Sequence, residues 1–329
     1  MVETAEIPKK QEVIVYSDCL YKDDVSLFKN FRKKKNIKVK IVHLSADSII
    51  LKIKKEGFNT KADLVILSSL YEVQKAHRSR LFQPIQSQTM DLSVGKKFKS
   101  NDHTWFGIGI NPYVFILKND TLPGISQFGE LRYKLNKNLW STNLQTSTEL
   151  VPMLGPIFQK KKRSAMVEWY MDFLENENTD GKKKDKNGIP LLTTNVLLTN
   201  YSTYAAMSKR NDTIDFQMKY VFSNQKKQGA YYNLIVAGVV KQARNFENAK
   251  ILLEYISTDW MNEKINNRWN TFPIHLHQRI HPFAYQNTHF KLFQGSNSRI
   301  IVNYPYLDKI VKKKKKRQVI VRIEQPESE

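Results

Sequence analysis

Ala62-Asp63-Leu64-Val65-Ile66-Leu67-Ser68 is a continuous apolar run ended by the pair Ser68-Ser69. A strand with one wet face alternates polar and apolar residues, whereas a strand covered on both faces does not. The run therefore predicts a central parallel strand. Upstream, Glu12-Val13-Ile14-Val15-Tyr16-Ser17 is a second short apolar run closing in a polar turn. Asp23 and Asp24 then cap a helix carrying Leu27, Phe28 and Phe31 inward, with Arg32 to Lys35 at its end. Acids at the start and bases at the end suit the helix dipole. Ile37-Lys38-Val39-Lys40-Ile41 alternates, which marks a half-buried strand. Ser45 to Glu56 reads as a helix with Ile49, Ile50 and Ile53 on one face and Gly57 at its C-terminal cap. Another helix runs from Leu70 to about Arg80.

Roughly the first 85 residues thus read β-α-β-α-β-α, which predicts an α/β fold with a mainly parallel sheet. Such sheets take ligands at the C-terminal ends of their strands, here Ser17 to Tyr21 and Ser68 to Leu70. No Gly-x-Gly-x-x-Gly or Gly-Lys-Thr loop follows a strand, so a nucleotide fold lacks support.

Further on, His103 to Ile110 and Asn111 to Leu117 read as two strand-like runs divided by Asn111-Pro112. Ser126 to Leu131 and Ala165 to Leu174 read as helices, Glu175 to Gly188 as an exposed loop, and Trp140 to Thr148 as a hydroxyl-rich strand end. Val196-Leu197-Leu198 followed by Thr199-Asn200-Tyr201-Ser202-Thr203-Tyr204 reads as a strand opening into a helix. Hydroxyls and backbone N–H groups gathered at a helix start suit a polar ligand. The alternative is that Thr199 or Asn200 only caps the helix. Lys219 to Phe222 and Leu234 to Val240 are strands; Asn245 opens a helix burying Ala249, Leu252, Leu253 and Ile256, and Thr258 to Trp269 is helical too.

The chain has 329 residues, 41% of them hydrophobic, enough to bury a sizeable core. The net charge of +22 sits in runs such as Arg32 to Lys35, Lys160 to Arg163, Lys182 to Lys184 and Lys312 to Arg317. Such runs point to an anionic partner, a polyanion or an acidic membrane surface, or else to a merely solvated face. One cysteine, Cys19, excludes an internal disulfide framework and reads as a small buried hydrophobe. No stretch reaches the roughly 18 apolar residues of a membrane span. Met1 to Lys10 lacks the apolar segment of a signal peptide, which leaves two readings: a cytoplasmic chain, or one whose leader has been removed. No nucleophile elbow and no motif-borne carboxylate pair appears, so no enzyme is expected.

Several short motifs, in order, resemble one family. Val13 to Ser17 is similar to its first strand and Asn36-Ile37-Lys38-Val39 to its "GIKV" step. Lys61-Ala62-Asp63-Leu64 is similar to its "PADV", Leu81 to Ile85 to its "LLQPV", and Trp105-Phe106-Gly107 to its "WFG". Phe222-Ser223-Asn224-Gln225 with Gly229 and Asn233 is similar to "FPNQ…G…N", and Ala237 to Lys241 with Asn245 to Ala249 to "AGVVKHAPNKENA". Asn270 to Ile274 is similar to "NYEYPV". These motifs resemble the periplasmic iron(III)-binding proteins of ABC transporters, a branch of the two-lobed solute-binding proteins.

The resemblance implies two α/β lobes joined by crossing strands, with the ligand closed between them. One lobe is expected from residues 12–110 and about 223–285, the other from about 111–222 and 286–310, and a mobile tail from 311–329. It also implies a periplasmic or cell-surface monomer, an ABC permease as partner, and iron(III) with a synergistic anion as ligand. The family's metal-ligand positions are substituted here. The histidine position reads Leu20, next to Tyr21; the acidic position after the third strand reads Ser68. The adjacent tyrosines read Ser202 and Thr203 between Asn200 and Tyr204, a further tyrosine reads Thr146, and the anion-holding arginines read Asn111 and Tyr113. Those aligned residues, with Tyr231, are the expected ligand-binding set. Tyr21, Tyr201, Tyr204, Tyr231 and Tyr232 could form a repositioned phenolate set, or each could be an aromatic wall or core residue. The ligand is then iron(III), or a small anion or polar molecule held by hydroxyls. A second function class is a ligand-free paralogue binding polyanions through its lysine faces. His275, His277 and His281 lack the ordered spacing of a zinc site.

Overall fold

In the computed structural model the described residues are 11–118, 140–142, 195–209, 218–222 and 229–274. The expected helices at 126–131 and 165–174, the loop at 175–188, Thr146, the histidines from His275 onward and the basic tail lie outside them.

The first third of the chain folds as its periodicity predicts. Strand β1 (Glu12–Ser17), helix α1 (Lys29–Lys35), β2 (Lys38–His43), α2 (Ala46–Glu56), β3 (Leu64–Leu67) and α3 (Leu70–Arg78) alternate, and β1 pairs in parallel with both β2 and β3. All four residues of β3 are buried, as an apolar run without alternation requires. The expected helix at Asp23 starts instead as a 3-10 turn, Lys22–Phe28. Asp24 is drawn inward: one carboxylate oxygen accepts from the Tyr21 amide at 2.9 Å and the other from Arg268 Nε at 2.9 Å.

After α4 (Gln88–Ser93) comes β4 (Phe106–Lys118). The sequence suggests two strands broken at Asn111-Pro112, but β4 is one strand of 13 residues. Its first half, Phe106 to Pro112, pairs antiparallel with β8 (Tyr232–Val239). Its second half pairs with β6 (Val196–Asn200) from Tyr113 and with β7 (Met218–Phe222) from Val114. Pro112 supplies no N–H, and it falls where β4 leaves one set of partners for the other, so the missing donor leaves the ladder intact. Among the described residues the strand order is β2-β1-β3-β8-β4-β6-β5, with β5 at Trp140–Thr142 and β7 also on β4. Helix α5 (Tyr201–Ser208) follows β6; α6 (Phe246–Ile256) and α7 (Asp259–Trp269) follow β8.

A bulge sits in β4 at Ile108, between Gly107 and Gly109. Its carbonyl accepts from the side-chain amides of Asn262 and Asn266 on α7, each at 2.8 Å. Asn266 is wholly buried and its Oδ1 also accepts from Thr271 Oγ1 at 2.7 Å. A Cβ at Gly109 would come within 2.3 Å of that Oδ1. Gly109→Ala should therefore lower stability by about 1–3 kcal/mol. The measurement is a urea unfolding curve with a lower midpoint and an unchanged slope.

Candidate functional site

The C-terminal ends of β1 and β3 face the point where β4 changes partners, and a cleft of about 490 Å³ lies there. From β1 comes Asp18, and from β3 come Ser68 and Ser69. The first turns of α2 and α3 add Ser45, Asp47 and Glu72. Asn111 of β4 and Asn233 of β8 form the back wall, and Asn200, Ser202 and Thr203 close it from β6 and α5.

Short hydrogen bonds hold this lining. Ser68 donates its amide to Asp18 Oδ1 at 2.8 Å and its hydroxyl to Asp18 Oδ2 at 3.0 Å. Asn233 accepts from the Leu70 amide at 3.0 Å and donates to the Ser68 carbonyl at 3.2 Å, so it fixes the start of α3 against β3. Asn200 occupies the N-cap position of α5, yet its side chain makes no cap bond. Asn111 supplies that bond from the crossing strand: its Oδ1 accepts from the Ser202 amide at 3.1 Å and its Nδ2 donates to Ser202 Oγ at 2.9 Å.

The electrostatics run against the net charge of the chain. Among the described residues the lining holds three carboxylates, Asp18, Asp47 and Glu72, and no lysine or arginine. Lys75 at the edge pairs with Asp47 and lies 3.8 Å from Glu72. Burial pushes the Asp18 carboxyl above its ordinary range, more than the Ser68 bonds draw it down. Burial does the same for Glu72; Lys75 opposes the shift, while Asp47 and Asp18 add to it. Glu72 is only 4% exposed, and its Oε2 makes no hydrogen bond. Among the described residues no three His, Cys, Asp or Glu side chains stand close enough to clasp a metal ion.

Of the expected ligand set, Ser68, Asn111, Asn200, Ser202 and Thr203 line the cleft. The tyrosines do not. Tyr21 is 57% exposed and stacks on His43 at 4.1 Å, outside the lining. Tyr113, Tyr231 and Tyr232 are buried in the core. Tyr201 and Tyr204 join an aromatic stack with Tyr220, in which Tyr201 also meets Phe272 at 4.7 Å. Burial raises the Tyr201 and Tyr204 phenols above their ordinary range, with Tyr220 adding to both and Tyr204 adding to Tyr201. The Cys19 thiol is likewise pushed up by burial, as fits a structural cysteine.

The carboxylates are what the sequence reading missed. Asp18 lies within the strand-end window Ser17 to Tyr21, and Asp47 and Glu72 occupy helix first turns. Acids there read as dipole complements, so their convergence emerges only once three strand ends are side by side.

A cleft at crossing strands between two α/β halves is the architecture of the two-lobed periplasmic-binding-protein-like fold. No family model matches the chain. It is 26% identical over 264 residues to iron uptake protein A1 of Synechocystis, covering 76% of this chain and 72% of that protein. A Trichodesmium protein (IdiA, FutA), solved with iron and citrate, superposes with a TM-score of 0.82 at 21% identity, over 92% of this chain and 98% of the other. A ferric-binding protein from Campylobacter jejuni gives 0.81 at 20% identity, with the same coverage. These comparisons bear out the resemblance to the iron(III)-binding proteins of ABC transporters and the two-lobed fold.

Removing the cap that Asn111 lends to α5 should be felt in stability. Asn111→Ala is expected to cost about 1 kcal/mol, the typical worth of an N-cap bond. Tyr204→Phe, outside the cleft, should leave solute affinity unchanged in a titration; a large loss there would return Tyr204 to the site.

Proposed function

We propose that this protein is an iron(III)-carrying solute receptor of an ABC transporter, working outside the cytoplasmic membrane and delivering its cargo to a permease. One lobe is built on β1, β2, β3, β8 and the first half of β4. The other is built on β5, β6, β7 and the second half. The solute sits at the change of partners, and closure follows contacts made only when both lobes touch it.

The observation that carries this reading is the carboxylate lining of the cleft in a chain of net charge +22. Iron(III) is a hard cation that prefers anionic oxygen ligands, and the lining offers Asp18, Glu72 and Asp47. The relatives' names, iron uptake protein and ferric-binding protein, agree with it. Three separated carboxylates and about 490 Å³ suit a chelated ion better than a bare one. A small hydroxy-acid anion would complete the coordination and take hydrogen bonds from Ser202, Thr203 and Asn111. In this arrangement the tyrosines of the resembling family have no part. The polyanion-binding paralogue is not favoured, since the cleft is built and polar. A ligand whose only charge is a phosphate would meet carboxylates and, among the described residues, no lining cation.

Calorimetric titration with ferric citrate, and separately with citrate alone, tests this. Ferric citrate should bind and citrate alone should not, and Asp18→Asn and Glu72→Gln should each weaken binding tenfold or more. No phenolate-to-iron absorption band should appear in the visible. Equal binding of citrate alone, or such a band, would sink the proposal.

The pH dependence has a definite sign. Cation binding needs both carboxylates charged, and their pKa values are raised above about 4, the ordinary carboxylate range. Affinity should therefore fall as pH drops into that raised range. The empty protein should run the other way. Its folded state holds the protons more tightly, so stability should fall as pH rises from the ordinary carboxylate range through the raised native values. Chemical denaturation of wild type and Asp18→Asn across that window checks it, with the variant showing the smaller slope.

A further inference from the structure

The parallel strands put opposite charges at opposite poles of the first lobe. Their C-terminal ends form the carboxylate cleft. At the other pole lie the turns entering β2 and β3 and the turn leaving the antiparallel β8. Those turns carry exposed cations: Arg32 to Lys35 and Lys38 around the end of α1, Lys54, Lys55 and Lys61 around the end of α2, and Lys241 and Arg244 after β8. Arg244 Nη2 donates to the Asn59 carbonyl at 3.3 Å, so the α2 and β8 turns meet. Three acids of this pole are already engaged, and a fourth, Glu247 in the first turn of α6, is exposed. Glu12 pairs with Lys40 at 2.6 Å and Glu56 with Lys52 at 2.8 Å. Asp63 accepts from the Ile14 and Asn245 amides, each at 2.9 Å.

Two apolar side chains stand out of this basic field. Phe58, in the turn that ends α2, is 89% exposed, and Leu51 is 66% exposed. Leu51, Lys54 and Lys55 lie on the side of α2 away from its buried Ile49, Ile50 and Ile53, and Phe58 follows Gly57, the residue at which the helix ends. Helix dipoles account for lysines at helix ends but not for a protruding phenylalanine. An apolar tip ringed by cations has the chemistry of a peripheral membrane contact: the ring enters the acyl boundary while lysines meet anionic headgroups.

We infer that this pole is a docking face for an anionic lipid bilayer, with Phe58 as the inserted side chain. The inference stands apart from the identity of the solute. Helix α2 runs between the two poles, Asp47 at one end and Phe58 past the other, about 16 Å for its 11 residues. A docked molecule therefore keeps its cleft in water.

The test is co-sedimentation of the full chain with vesicles of phosphatidylcholine, with and without phosphatidylglycerol, at low and high salt. Binding should need phosphatidylglycerol and weaken as salt rises. Each lysine at the surface is worth about fivefold, so Lys54→Glu with Lys55→Glu should lose at least tenfold. Phe58→Ser should lose severalfold, and Phe58→Trp should shift its emission to the blue on vesicles. Ferric citrate titration of the same variants should match wild type, which reports their folding and separates this inference from the proposed function. Absence of vesicle binding overturns it. So does binding that survives the double charge reversal, which would assign the attraction to other lysines such as Lys312 to Arg317. Retention on an acidic protein surface without vesicle binding overturns it in favour of a protein partner.

Discussion

An unbroken strand shared by two sets of partners is the constraint on which the rest of this protein depends. Strand β4 gives its first half to β8 and its second half to β6 and β7. Backbone donors and acceptors buried in a core must be paired, so the strand cannot stop at the boundary without leaving some unmet. Pro112 sits at the one place where a missing donor is harmless, and the Ile108 bulge is locked from behind by Asn262 and Asn266. Everything that lines the cleft is placed by reference to this strand.

The cleft is assembled from borrowed interactions. Asp18 and Ser68 hold two parallel strand ends together, Asn233 ties the second of them to β8, and Asn111 caps a helix in the other half. Each side chain serves a backbone outside its own element, so the lining is rigid without a disulfide. It is also the acidic side of a strongly basic molecule. A field of positive charge would repel a free cation at a distance, whereas a chelate of net negative charge would be drawn in and then meet carboxylates only at close range. That combination fits cargo that arrives complexed.

Much of this architecture was legible in the sequence, and for a reason. β1 and β3 show as short unbroken apolar runs and β2 as an alternating one, so these strands and their helices follow from Val13 to Arg78 alone. The strand-to-helix step at Asn200 was legible through its hydroxyls and its apolar lead-in. The continuity of β4 was not, because Asn111-Pro112 carries a break signal that only the exchange of partners disarms. The chemistry of the cleft was harder still. Tyrosine identity drew attention to Tyr21, Tyr201, Tyr204, Tyr231 and Tyr232, but burial depends on which face of which neighbour each ring meets. Asp18, Asp47 and Glu72 carry no motif, since each is ordinary in its own element and distinctive only in company.

The aromatic stack has a bearing on how the two halves move. Tyr201 and Phe222 belong to the second half, while Phe272 is hydrogen-bonded through its backbone to Ile110 in the first half of β4. Aromatic pairs settle in offset or edge-to-face arrangements over a spread of centroid distances, whereas ladder bonds weaken steeply off line. The rings therefore act as a lubricated joint beside a fixed axle. In the proposed closure, a change of angle between the halves would be resisted by the Asn111–Ser202 pair and by the bond from Lys209 to Asn270, both of which reach from α5 to the first half.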